Sequence, residues 1–137
     1  MIPVTCCILV KNDKILMSKR NKKKREFPNY WEFPGGKCNT NESIKNCANR
    51  EIKEELNIDI DFKKIIYKKM KFQNRYNLYY CLCNIINDRE IKKNNEIGEY
   101  RYFNINDIRN LKLLPGDIKI IYYIKKHYDC VTTGLGK

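Results

Sequence analysis

The chain has 137 residues, enough for one domain and too few for a second. Hydrophobic residues make up 42% of it, sufficient for a core, and no apolar run approaches the roughly 18 residues of a membrane span. Lysine and arginine exceed aspartate and glutamate by 28 to 16, and the resulting +12 attracts polyanions, nucleotides and nucleic acids alike, unless lysine is the default polar residue of a chain also rich in asparagine and isoleucine.

Residues 3–11 and 14–20 are apolar runs separated by Asn12-Asp13, which predicts two strands and a tight hairpin turn. The opening residues lack the basic lead and small-residue cleavage site of a signal peptide. Residues 21–25 form a basic loop, and 29–33 lead into Gly35-Gly36, where the backbone can approach a phosphate or metal closely. A helix is expected to start near Asn41 as its N-cap and to bury Ile44, Cys47, Ala48, Ile52 and Leu56. Strand-like stretches follow at 65–72, 76–86 and 100–103, then a short helix at 106–111. Pro115 stands near the start of a last helix, 118–127. One domain is expected over 1–128, with 129–137 a frayed tail. Strands on both sides of one helix, with a second helix to close, predict an α/β protein with a mixed sheet sandwiched between helices. Seven cysteines without any Cys-x-x-Cys read as reduced thiols of a cytoplasmic chain, a zinc site being the rival reading.

Within the first helix, Glu51, Glu54 and Glu55 stand at i, i+3 and i+4 and share one face. Three like charges at that spacing repel one another. A hard divalent cation removes the penalty, since Mg²⁺ is bound through a few carboxylates together with substrate phosphates. The pattern points to a metal-dependent phosphate site, the rival being a solvated acidic helix face.

Residues 36–58 run Gly36-x5-Glu42-x7-Arg50-Glu51-Ile52-x-Glu54-Glu55-x-Asn57-Ile58. This resembles the signature of the Nudix hydrolases at every fixed position except Asn57, where the family usually has glycine. Asn is the next most tolerant residue for a left-handed helix terminus, so the departure is mild. The preceding Trp31-Glu32-Phe33-Pro34-Gly35-Gly36-Lys37 is similar to the lead-in of MutT-type members. The resemblance implies a Nudix-type α/β/α sandwich, with the mixed β-sheet between the motif helix and a C-terminal helix.

The resemblance also implies roles. Glu51, Glu54 and Glu55 match the metal-binding glutamates, and the Gly35 carbonyl matches a backbone ligand. Mg²⁺ is the implied ion, with Mn²⁺ able to substitute. Glu51 or Glu54 could take the proton of the attacking water. Arg50 matches the arginine that orients a glutamate through a bidentate pair, and Glu42 and Gly36 match structural positions of the motif. A further acidic residue on a later loop is expected at Glu96, six residues before Tyr102, with Glu99 as rival. Lys37 and Arg20 match cationic positions near phosphates or base. Asp117, fifteen residues after Tyr102, stands where MutT-type enzymes carry a base-reading Asn; an ionised Asp only accepts, which favours donor edges of cytosine or guanine. Its rival role is the N-cap of the last helix. Phe72, Tyr79 and Tyr80 could supply a stacking face or could be core. The implied activity is a MutT-like nucleoside triphosphate diphosphatase acting on oxidised purines such as 8-oxo-dGTP. A (d)CTP-type pyrophosphohydrolase and a weakly hydrolytic nucleotide- or RNA-binding module are the alternatives. The expected protein is a monomer off the membrane, for which nucleic acid is an optional partner.

Overall fold

The computed structural model describes residues 1–71, 75–114 and 117–132, with side chains as far as residue 126. β1 (Ile2–Lys11) and β2 (Lys14–Arg20) form the expected hairpin. Asn12 (φ 48°) and Asp13 (φ 64°) both occupy the left-handed region that a two-residue turn of matching twist requires. β3 (Trp31–Glu32) adds to β2, β4 (Asp59–Lys71) pairs with β5 (Tyr76–Asn87), and β6 (Ile97–Asn104) also pairs with β2. The sheet order is β3-β2-β1-β5-β4 with β6 beside β2. β1 and β5 are parallel from Ile2↔Tyr76 to Val10↔Asn84, and the other pairings are antiparallel.

A central strand buried on both faces needs apolar residues of both parities, and β1 supplies them. Cys7 and Leu9 face the helix α1 (Ile44–Leu56), packing with Ala48, Ile52, Leu56, Cys81 and Cys83. Ile8 and Val10 face the other way, into a second core with Tyr80, Leu82, Ile120 and Ile124 under α3 (Ile118–Thr132). A single turn, α2 (Ile105–Ile108), buries both its isoleucines at the rim. The mixed sheet sandwiched by helices is the predicted architecture.

Several boundaries differ. The cap of α1 is Ser43, whose Oγ accepts from the Asn46 N–H at 3.1 Å; Asn41 sits at φ 65° in the preceding turn. β4 begins at Asp59 rather than 65, because Ile60 and Phe62 turn inward between exposed Asp59 and Asp61 and the charges mask the strand pattern. β6 begins at Ile97, α2 covers only 105–108, and α3 continues to Thr132, so the first residues of the expected tail are helical. Phe72, Pro115 and residues 133–137 lie outside the described residues.

The thiol reading is corrected at one pair. Cys38 and Cys47 form a disulfide, with Cα atoms 5.2 Å apart, because the loop after Gly36 folds back over the first turn of α1. Cys6, Cys7, Cys81 and Cys83 are free, and the last three are buried strand residues as expected.

Asn57 ends α1 in the left-handed conformation (φ 56°, ψ 42°), its N–H donating to the Lys53 carbonyl and its Nδ2 to the Glu90 carbonyl at 3.0 Å. Alanine would keep neither the tolerance for that conformation nor the second bond. Asn57→Ala is expected to lower unfolding free energy by about 1–2 kcal/mol in urea titrations, and Asn57→Gly by much less.

Candidate active site

The site is built where the glycine loop is wedged between β1 and α1. The Thr5 N–H donates to the Gly36 carbonyl (2.9 Å) and the Cys7 N–H to the Pro34 carbonyl (2.7 Å), so the loop runs along β1 as a partial strand. A Cβ on Gly35 would lie 2.0 Å from the Thr5 carbonyl oxygen. One on Gly36 would lie 2.3 Å from a carboxylate oxygen of Glu51. Both glycines are therefore required by close approach, the first to backbone and the second to a side chain.

Around this loop the carboxylates of α1 are sorted by one guanidinium. Arg50 makes a bidentate pair with Glu42, both bonds 2.8 Å, and its Nη1 donates to Glu51 at 2.9 Å and to Glu54 at 3.3 Å. Its Nη2 also donates to the Lys37 carbonyl at 3.0 Å. The Arg50 contact holds Glu42 down to about 2. Glu51 is pushed up by burial, against the pull of Arg50. Glu55 is buried, accepts from the Gly35 N–H at 3.1 Å, and is raised to about 8 by burial and then by the charges of Glu51, Glu32 and Glu96. Arg50 does not line the cleft; it positions the residues that do.

Glu96 reaches the same place through the end of α1. The terminal carbonyls of that helix are satisfied by the following loop, Lys92 N–H to Leu56 (2.9 Å) and Asn94 N–H to Glu55 (2.9 Å), which delivers Glu96 beside Glu51 and Glu55. The rival Glu99 is engaged elsewhere, with Lys19 and Arg101.

Glu51, Glu54, Glu55 and Glu96 line one end of a cleft of about 730 Å³. At the other end is Asp117, 6% exposed, accepting from the Tyr80 hydroxyl at 2.7 Å. Among the described residues the hydrogen-bond partner of this side chain is Tyr80 of β5, on the α3 face of the sheet, rather than an N–H of α3. Burial raises Asp117 to about 6, opposed by the Tyr80 bond and by the charges of Lys71 and Lys69. Tyr80 is a wall of the cleft and core at once. Tyr79 lies on the opposite face of the sheet, over which Lys68 is placed 5.5 Å from its ring centre.

Lys37 is exposed at the lip, its ammonium 5.3 Å from the Tyr76 ring centre. Arg20 lines the cleft but is less available than expected. Its Nε donates to the Glu26 carbonyl (3.0 Å) and its Nη1 to Glu32 (3.3 Å), so it latches the loop between β2 and β3. Glu32 is the residue that sequence reasoning passed over: pushed up by burial, it stands between Glu55 and Asp117 and feels both. Its only signal was its place beside the glycine pair.

Among the described residues the one tight group of potential ligand atoms is Cys38, Glu42 and Cys47. Its donors are already committed, the sulfurs to each other and the carboxylate to Arg50. The cleft glutamates are the better fit for a divalent cation. They form a crowded, all-oxygen donor set in which Glu55 is driven towards neutrality by burial and then by its neighbours' charges, the condition a hard cation relieves.

The NUDIX domain family model matches residues 1–124. An 8-oxo-dGTP diphosphatase of Buchnera aphidicola subsp. Schizaphis graminum is 30% identical over 125 residues, covering 87% of this chain and 89% of its own. The uncharacterized Nudix hydrolase YvcI of Bacillus subtilis is 27% identical over 130 residues, covering 90% and 78%. A MutT protein from Methanosarcina mazei Go1 shares the fold with a TM-score of 0.76 at 20% identity, over 93% of this chain and 94% of that one.

The two glycines should respond differently to alanine. At Gly36 the obstacle is the flexible end of Glu51, so Gly36→Ala is expected to keep its melting temperature while turnover falls about a hundredfold as the carboxylate moves aside. At Gly35 the obstacle is backbone, and Gly35→Ala should lose stability as well. Thermal melts beside kcat measurements on both variants check the contrast.

Proposed function

Because the chain belongs to the NUDIX domain family, as a hydrolase of phosphoric anhydrides of the MutT type, we propose that it converts oxidised purine nucleoside triphosphates, 8-oxo-dGTP first, to the monophosphate and pyrophosphate. The supporting observation is the two-ended cleft: Glu51, Glu54, Glu55 and Glu96 at one end, the Asp117–Tyr80 pair at the other. A triphosphate and a base are the two ends of one such ligand.

NUDIX hydrolases generally use divalent metal ions; we assign Mg²⁺, with Mn²⁺ as substitute, to the cleft glutamates and the Gly35 carbonyl. Such an ion neutralises phosphate oxygens and lowers the pKa of bound water. The chain's own residues do the rest. Arg50 keeps Glu51 and Glu54 in place, and either can take the proton of the attacking water. Lys37 and Lys24 set positive charge at the lip, where an incoming triphosphate is drawn. Asp117 ionises above about pH 6 and then offers only acceptors to a base. Guanine N1–H and the 2-amine meet it, and so does the cytosine N4 amine. That last match keeps (d)CTP as the second reading.

Replacing Glu54 by Gln preserves shape and removes a charged oxygen. Turnover is expected to fall by about two orders of magnitude or more with the melting temperature unchanged, and a variant of near wild-type activity would remove Glu54 from the site. In ¹⁸O water, label in the monophosphate marks attack at the α-phosphorus and label in pyrophosphate marks attack at the β-phosphorus. Orthophosphate and a diphosphate as main products would contradict the reading.

Asp117→Asn tests the base end through pH. The folded carboxyl, at about 6, holds a proton that the unfolded one, near 3.8, has released. Folding stability from this group is therefore full below about pH 4, falls as pH rises to 6, and stays low above it. Asn should be more stable than wild type at pH 8, by up to roughly 3 kcal/mol, with no such gain at pH 4. Over the same range the wild-type kcat/KM ratio of 8-oxo-dGTP to dATP should rise through about pH 6, and the Asn variant's should not.

A further inference from the structure

From residue 62 to residue 87 the chain contains no aspartate or glutamate, while Lys63, Lys64, Lys68, Lys69, Lys71 and Arg75 fall within it. The stretch is most of the β4–β5 hairpin, and β4 is the last strand of the sheet order. Residues 118–126 of α3 also lack any acid and carry Lys119, Lys125 and Lys126. Two basic elements thus lie side by side at one edge of the protein.

Aromatic rings join them. Lys64, Tyr67 and Lys69 pair across to Leu82, Tyr80 and Leu78, which places all three on the α3 face of the sheet. The Tyr67 ring stacks on Tyr123 of α3, with centroids 4.7 Å apart and planes at 29°. Tyr122 meets Tyr123 edge-on at 5.5 Å and is 68% exposed. On the same helix Lys119 and Lys126 stand at i−3 and i+4 from Tyr122, hence on its face, and both are exposed. In the other direction Tyr67 lies 6.1 Å from Tyr80, the wall of the cleft. Tyrosines therefore run from the cleft to solvent, with lysines along them.

Edge lysines alone would be explained as a guard against strand-to-strand association, and one exposed tyrosine is ordinary. A guard needs neither the exposed ring between two lysines nor two facing stretches, 62–87 and 118–126, that carry lysines and no acid. We propose that the β4–α3 edge is a binding track for single-stranded nucleic acid, its lysines on phosphates and Tyr122 as a stacking platform for a base. Stacking on a ring requires an unpaired base, which selects the single strand over the duplex. The track is separate from the hydrolytic reading and does not depend on it.

The test is fluorescence anisotropy with labelled single-stranded DNA and RNA of about 12 nucleotides in EDTA, against a duplex of equal length and anionic phosphatidylserine vesicles. Single strands should bind best, with affinity falling steeply with salt. Tyr122→Ala should weaken them about tenfold. Lys64→Glu with Lys119→Glu should flatten the log–log salt slope by about 1.4, since each phosphate that a lysine ceases to neutralise takes about 0.7 from it. Nucleotide hydrolysis, measured separately, should stay within about twofold of wild type in both variants. The proposal is overturned by no single-strand binding at low salt, by equal duplex binding that Tyr122→Ala leaves intact, or by binding to vesicles alone. Failure of hydrolysis in the wild type would instead remove the function proposed above and leave this one standing.

Discussion

The active end of the molecule depends on one guanidinium among carboxylates. Glu51, Glu54 and Glu55 share a helix face and repel, and Glu42 brings a fourth negative charge from the loop before the helix. Arg50 meets Glu42 with a planar two-bond fork and has donors left for Glu51, Glu54 and the Lys37 carbonyl. A lysine could supply the charge but not the fork, so the arrangement needs arginine. By closing the loop onto the helix, the same bonds hold the glycine pair against β1. The disulfide between Cys38 and Cys47 ties that loop a second time.

The charge of the molecule is divided by depth. Outside it is strongly basic, while acids gather in the cleft, where Glu32, Glu55 and Asp117 are all pushed up by burial. Glu55 and Asp117 each work against folding by a few kcal/mol at neutral pH, and Glu32 acts in the same direction. The two cores on either side of the sheet, of 15 and 11 buried residues among the described ones, oppose this with roughly 1.5–3 kcal/mol for each large side chain.

The two ends of the cleft come from different layers. The glutamates belong to α1 and to the loop that caps it; Asp117 and Tyr80 belong to the side under α3. β1 passes between them, giving Thr5 to the glycine loop and Cys6 to the wall near Asp117. A substrate spanning the cleft would therefore lie across the end of the central parallel pair, β1 and β5.

By itself the sequence determined the features written in local spacing. The i, i+3, i+4 glutamates, the glycine pair and the Asn12-Asp13 turn were all legible, because helix period and turn chemistry act between near neighbours, whereas the partner of Arg50, Glu42, came only with the fold. Asn57 was legible as a left-handed terminus for the same reason. Tertiary structure alone decided what depends on distant segments meeting. It joined Cys38 to Cys47, drew Glu96 rather than Glu99 to the cleft, and turned Arg20 from a free cation into a latch on Glu32. It also gave Asp117 a tyrosine partner from β5. Burial is the physical reason: a carboxyl has its ordinary character until other elements exclude water from it, and no run of neighbouring residues records which elements those will be.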